Sequence, residues 1–256
     1  MNGAFYIGAV GLQAQQRALD TISNNIANIN TPSFKRADVR FAAMMATRPD
    51  ADAPTADLDA SFASSGVMAT AVRAMDEEGV IETTGRQLDL AIQGRGFIEL
   101  MGADGQSLLW RGGTIKVNAD GLLAAADSGL AFKGAISVPA DATDLSIDSA
   151  GVVRAKTADA AAPVELGQIE LVRPDDITAL TAIDGGLYRA DSAQLQAMRP
   201  GEDGAGTLVQ GAVERSNVEL TTEMVQLMLV QRAYSANAQI VQAADQLMGI
   251  ANGLRR

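Results

Sequence analysis

AFYIGAVGLQAQQRALDTISNNIANINTPSFKR, residues 4–36, carries the reading on which the fold turns. Within it Phe5, Gly8, Leu12, Gln15, Leu19, Ile22, Ile26 and Ile29 are separated by alternating steps of three and four, and six of the eight are strongly apolar. A mean step of 3.5 keeps one seam turned toward a partner helix, so the spacing predicts a coiled-coil helix over about residues 3–29. It stops where turn formers gather at Asn28-Ile29-Asn30-Thr31-Pro32, because Pro32 biases Thr31 away from helical geometry.

The far end of the chain repeats the pattern in Val230, Ala233, Asn237, Ile240, Ala244, Leu247, Ala251 and Leu254. Beside it runs a second stripe of Leu220, Met224, Leu227, Gln231, Tyr234, Ala238, Val241 and Met248. Two stripes make a face wider than one seam needs, which predicts a helix over about 218–253 with more than one neighbour. It would be roughly 50 Å long at 1.5 Å per residue. Ser216 and Asn217 are its N-cap candidates, and Glu219 puts negative charge where the helix dipole favours it.

Between the helices the period changes to short alternating or apolar runs, among them Leu88–Ile92, Phe97–Leu100, Gly113–Val117, Leu145–Ile147 and Gln168–Val172. Asp104-Gly105 and Asp120-Gly121 fall where hairpin turns belong, which makes the middle an antiparallel β domain. Residues 48–65, rich in Ala, Asp, Pro and Ser, and residues 199–206, rich in breakers, read as loops. The fold class is therefore α+β, with N- and C-terminal helices forming a coiled-coil-like assembly domain and with a central antiparallel β domain. The expected divisions are 1–36 for the first helix and turn, 37–84 for an extended linker or β segment, 85–212 for the β-rich domain and 213–256 for the last helix, packed with 1–36.

Composition narrows the chemistry. With 256 residues and 47% hydrophobic content the chain can bury a sizeable core. Cys and His are both absent, which removes disulfides, thiol nucleophiles, His-based dyads and His-ligated metals together. No cofactor or metal is expected, and only carboxylate or lysine chemistry remains. The carboxylates, Asp89 and Glu99 included, show no paired acid–base spacing and read as a solvated β face. The net charge of -11 opposes binding to nucleic acid or anionic lipid. Residues 1–30 and 218–256 together hold four charges of each sign; of the chain's 20 Lys+Arg and 31 Asp+Glu, that leaves 16 and 27 for the middle. Helices that are neutral and broadly apolar suggest burial inside an assembly, with the acidic β domain toward water. The start of the chain lacks the basic residues and apolar run of a cleavable signal peptide, and no window holds the 18 or so apolar residues of a membrane span. Periodicity does not say to which chain a partner helix belongs, and an ordinary helical hairpin within one monomer satisfies it equally.

Asn24-Asn25-Ile26-Ala27-Asn28-Ile29-Asn30-Thr31-Pro32-Ser33-Phe34-Lys35 resembles the signature of the bacterial flagellar rod and hook proteins, which has Gly where Ser33 stands. Three further stretches resemble the same family. They are Gly85–Phe97, with Gly94, Gly96 and Phe97; Glu214-Arg215-Ser216-Asn217-Val218; and Gln231-Arg232-Ala233-Tyr234 followed by Ala244–Met248. Pro200–Gly204 and Gly206–Gly211 are similar to the distal-rod subgroup, while Arg95, Ile98 and Trp110–Gly113 depart from the usual pattern. The resemblance implies a non-enzymatic structural subunit of a hollow helical rod that transmits torque. Its implied partners are copies of itself, other rod and hook proteins and the surrounding ring proteins, with no nucleic acid and no membrane insertion. The implied location is the periplasm-spanning basal body, reached by type III export without cleavage. The expected assembly surface comprises Phe5, Leu12, Leu19, Ile22, Ile26, Ile29, Leu220, Met224, Leu227, Val230, Tyr234, Ile240, Val241, Leu247 and Met248. A proximal rod or hook subunit and, from another class, a secreted carboxylate-dependent hydrolase are the alternatives.

The motifs also have direct physical readings. The Asn-rich turn can satisfy helix-end carbonyls, and Phe34 would anchor the exit strand. Gly94-Arg95-Gly96 is too short for a dinucleotide fingerprint and reads as a tight turn before a buried aromatic. Lys35 and Arg36 read as exposed charges or an intersubunit ion pair, with anion binding as the lesser option.

Overall fold

The computed structural model describes residues 2–47, 62–102, 106–157, 162–183, 186–190, 194–201 and 204–253. The Asp104-Gly105 turn, residues 48–61, Glu202-Asp203 and Leu254 lie outside the described residues, as do the side chains of Phe5 and Met248. The chain has a helix at each end, α1 (Asn2–Ala27) and α2 (Leu220–Gly253), with antiparallel strands between. α1 ends two residues before Ile29 because Asn28–Thr31 closes a turn instead, with Thr31 N donating to Asn28 O at 3.1 Å.

Contacts divide the chain into two compact units. One unit holds residues 1–27, 37–73 and 219–256. In it α1 and α2 run antiparallel, since Gly8 lies against Val241, Gly11 against Asn237 and Asn25 against Glu223. A hairpin of β1 (Ala37–Thr47) and β2 (Phe62–Arg73) pairs from Ala37↔Arg73 to Thr47↔Phe62, with a register shift between Met44 and Met45. Residues 62–65, read from sequence as loop, therefore belong to a strand; their partners in β1 override local composition. Ala14, Ala18 and Ile22, at helical spacing on α1, are buried, and the small side chains allow close approach of neighbouring backbone.

The other unit holds residues 28–36 and 74–218. Its strands among the described residues are β3 (Ile81–Thr83), β4 (Asp89–Gln93), β5 (Phe97–Met101), β6 (Ser107–Trp110), β7 (Gly112–Val117), β8 (Leu123–Ala125), β9 (Ala142–Ile147), β10 (Val152–Thr157), β11 (Val164–Gln168), β12 (Leu171–Pro174), β13 (Leu180–Ile183), β14 (Leu187–Ala190), β15 (Leu195–Met198), β16 (Thr207–Gln210) and β17 (Ala212–Glu214). They form a six-stranded sheet in the order β13-β14-β6-β5-β12-β15, a four-stranded sheet β16-β4-β7-β8, a three-stranded sheet β11-β10-β9 and the pair β17-β3. Every named pairing is antiparallel. The main core gathers Leu90, Ile92, Ile98, Leu100, Trp110, Leu123, Phe132, Val153 and Leu171 from these sheets. Phe97, Leu109, Val172 and Tyr188 make a second, smaller cluster, because alternate side chains of β5, β6 and β12 point to opposite faces.

Candidate functional site: the terminal helices and an ionic junction

On α1 the expected surface residue Ile22 is buried, and Leu12, Leu19 and Ile26 are half-buried. Ile29 lies beyond the helix, in the β unit, so it does not extend the seam. Asn24 and Ala27 are on the exposed side of α1. Asn25, buried near the end of α1, clasps the outgoing chain: its amide accepts from Ala37 N at 3.0 Å and donates to Ala37 O at 2.9 Å, and it also donates to buried Glu223 at 3.2 Å.

α2 carries apolar side chains on two sides. Leu227, Val230 and Val241 are half-buried, whereas Leu220, Met224, Tyr234, Ile240 and Leu247 are exposed, Ile240 to 65% and Leu247 to 67%. The sequence reading missed Val225, Met228, Leu229 and Ile250, which are also exposed. Their signal was angular rather than heptad: Val225, Leu229, Ile240, Leu247 and Ile250 share a sector of about 80° when projected at 3.6 residues per turn. Gln231, Arg232 and Ala233 are exposed beside them. A cavity of about 430 Å³ within the helical unit is lined by Gly11, Ala14, Phe41, Val67, Leu229 and Ala233, among others. Gln15, a polar member of the α1 seam, also lines it and buries Oε1 without a hydrogen-bond partner among the described residues.

In the β unit the family-motif residues converge on charge rather than on a catalytic dyad. Lys35, expected at the surface, is buried, and its Nζ meets Glu214 Oε1 at 2.6 Å. Glu214 Oε2 accepts from Arg111 Nε at 3.0 Å, and Oε1 also accepts from Gly79 N at 2.8 Å. Burial pushes the Lys35 amine below its ordinary value, against the upward pull of Glu214. Arg111 donates further to the carbonyls of Gly96, at 2.6 Å, and Gly94, and lies 5.5 Å from the centre of the Phe97 ring. Phe97 stacks edge-on against Tyr188 at 5.8 Å. Gly94 adopts φ +124 where an added Cβ would sit 2.5 Å from Gly206, so the bend before Phe97 has no room for a side chain.

Ser33 adopts φ 58, the left-handed region that glycine enters freely, and its N–H donates to Glu214 O at 2.7 Å. Phe34 is half-buried and its carbonyl accepts from Asn217 N. Asn217 does not cap α2; its Oδ1 accepts from Arg36 N at 2.7 Å and its Nδ2 donates to Ala74 O and Glu77 O at 3.2 Å. Ser216 Oγ accepts from the N–H of Val218, which is buried. Asn30 and Thr31 are exposed in the turn, where Thr31 Oγ1 donates to Asn28 Oδ1.

Two carboxylates read as solvated are buried. Asp89 accepts from Thr84 Oγ1 at 2.5 Å, Arg86 Nε at 2.8 Å and Thr114 Oγ1 at 2.8 Å. Burial alone would raise its pKa, but these donors outweigh that and hold it below the ordinary value. Glu99 is covered by Lys133, whose Nζ lies 2.7 Å from Oε1. Both stand in strands whose first four residues are all buried, so neither strand has the solvated face expected, and each carboxylate has donors that allow it to be buried.

Comparison with known proteins agrees with this arrangement along the chain. Residues 5–35 match the family "Flagella basal body rod protein", residues 91–155 match "Flagellar hook protein FlgE/F/G D1 domain" and residues 209–254 match "Flagellar basal body rod FlgEFG protein C-terminal". The flagellar basal-body rod protein FlgG of Borreliella burgdorferi is 33% identical over 100% of both chains. FlgG of Caulobacter vibrioides is 33% identical over 98% of this chain and 99% of its own, and FlgG of Agrobacterium fabrum 33% over 96% and 97%. Similarity that runs through both helices and the β unit makes this chain a structural rod subunit belonging to the flagellar basal-body rod protein family.

Proposed function

We propose that the chain is a distal-rod-type subunit that polymerises through α1 and α2 into a hollow helical shaft, carrying torque from rotor to hook. The observation that supports this most is the side of α2 bearing Leu229, Ile240, Leu247 and Ile250, apolar and exposed in the single chain. Apolar surface of this kind on a sparsely charged helix is costly to leave in water and is removed from it by other helices. Two different complementary surfaces per subunit, related by a screw operation, generate an open filament. Copies of the chain, other rod and hook subunits and the surrounding ring proteins are the partners, the acidic β units form the outer layer, and the chain is exported with α1 intact.

Density maps of basal bodies from cells producing a tagged chain test the reading. The tag is expected along the distal rod, with paired helices lining the channel; finding it only in the proximal rod or hook overturns the subtype. Mass spectrometry of the same particles is expected to find α1 whole apart from loss of Met1. A mature chain beginning beyond about residue 15 overturns the export route, since the remaining helix would be near the short limit for stability.

A further inference from the structure

The chain passes between its two units four times, at residues 27/28, 36/37, 73/74 and 218/219. The β-unit segments next to three of these crossings, 33–36, 74–79 and 214–217, are joined to one another. Ala74 N donates to Arg36 O at 2.8 Å, Asn217 bridges Arg36, Ala74 and Glu77, and Lys35 Nζ donates to Glu77 O at 2.7 Å as well as to Glu214. One carboxylate is common to the set. Glu214 takes Lys35 from the first segment, the Gly79 N–H from the second and Arg111 from the link between β6 and β7, while sitting itself in the third. Packing there is tight enough that a Cβ on Gly79 would fall 1.8 Å from Arg215 O.

We propose that the Glu214 carboxylate is the keystone of a mechanical joint that gathers the chain segments leading to α2 and to both ends of the hairpin into one anchor, which opens as a unit separately from the β core. The inference rests on the rod reading for its purpose: force passing along the chain between an assembled helical unit and the β unit crosses these segments. Several charge-assisted bonds in parallel share such a force, whereas backbone bonds opening one at a time would not. A hydrophobic contact of similar size resists separation but fixes direction poorly. Lys35, Arg111 and Asn217 fix it through hydrogen-bond geometry.

Amide exchange on the full-length single chain tests the joint without requiring assembly, so its outcome is separable from that of the rod reading. In Glu214→Gln, exchange at residues 33–36, 74–80 and 214–217 is expected to rise together by tenfold or more, while residues 90–92, 98–100 and 171–172 of the core stay protected. Equal loss of protection in the core, or an unchanged joint, overturns the proposal. Asn217→Ala leaves the buried charges paired and serves if Glu214→Gln fails to fold; it is expected to raise exchange in the same three segments, and an effect confined to 217 overturns the proposal. Cells carrying whichever variant still builds rods are expected to swim normally in dilute medium and lose speed in viscous medium. Equal speed loss in both media counts against the joint as a force path.

Discussion

Leu100 and Leu247 are the same side chain in two regions that treat it in opposite ways. Leu100, in β5, has no accessible surface, whereas Leu247, in α2, is 67% exposed. Fully burying a leucine is worth about 1.5–3 kcal/mol, so the β unit has collected a stabilisation that the helical unit still leaves in water. Among the buried polar groups, Glu214, Asp89 and Glu99 have partners in the β unit, whereas the helical unit pairs Asn25 with Glu223 but also buries Gln15 Oε1 without a hydrogen-bond partner among the described residues. The β unit closes its core within the single chain, and the helical unit leaves a row of large apolar side chains in water, as the proposed assembly requires.

The largest effect is expected where that difference is inverted. A carboxylate at Ile240 or Leu247 stays hydrated in the single chain, so Ile240→Asp or Leu247→Asp should change its stability by no more than about 0.5 kcal/mol. In a packed assembly the same carboxylate is desolvated at every copy, at several kcal/mol each, and rods should be absent from electron micrographs of detergent-extracted cells. Normal rods from either variant would break the comparison, since the exposed side of α2 would then be exposed in the assembly too. Leu100→Ala is expected to behave in the reverse sense, lowering β-unit stability by about 2–5 kcal/mol. Trp110 is the chain's single tryptophan and is buried in the same core, so its fluorescence in a denaturant titration reads that unit. A change below 1 kcal/mol would mean that the core tolerates a void the size of a leucine side chain.

Local pattern made the two helices legible, because each holds its period over many turns and ends at residues that break it, Asn28–Pro32 and Ser216–Asn217. The β character of the middle was legible from alternation and Gly turns. The junction was not. Lys35, Arg111 and Glu214 lie 76 and 103 residues apart along the chain, and nothing in the neighbourhood of Lys35 distinguishes a buried amine from an exposed one. The Asn25 clasp escaped for a related reason: a single amide satisfies both backbone groups of Ala37, a pairing visible only once the chain has turned back. Part of the exposed apolar side of α2 was missed because a strict three-four template steps over Val225, Leu229 and Ile250, although they fall in the same sector as its members Ile240 and Leu247.

Asp89 sharpens the comparison through pH. Its folded pKa is depressed, so the stabilisation it contributes is present above the unfolded value of 3.8 and disappears as pH falls through the lower, folded value. The β unit should therefore lose stability from about pH 5 downward, and Asp89→Asn should flatten that limb. At pH 7 the variant should cost about 1–3 kcal/mol, because Thr84, Arg86 and Thr114 lose an ionised acceptor. A wild-type acid limb that survives the substitution would assign it to other carboxylates.

The smallest effect is expected at Ser33, where two terms oppose each other. At φ 58 a side chain meets the steric penalty of the left-handed region, and glycine removes about 1 kcal/mol of it. Glycine also gives the unfolded chain more freedom to lose, which costs about 0.4–1 kcal/mol. The hydroxyl contributes little, since its contact to Gly112 O is long at 3.4 Å. Ser33→Gly should thus fall within about 1 kcal/mol of the wild type by Trp110 fluorescence, with the backbone bond from residue 33 to Glu214 O retained. Ser33→Val calibrates the first term, because a β-branched side chain is strained in this region and should destabilise the β unit by about 1–3 kcal/mol. If Ser33→Gly is as damaging as Ser33→Val, the left-handed turn is not what selects this position, and the hydroxyl itself is a working part of the junction beside Glu214.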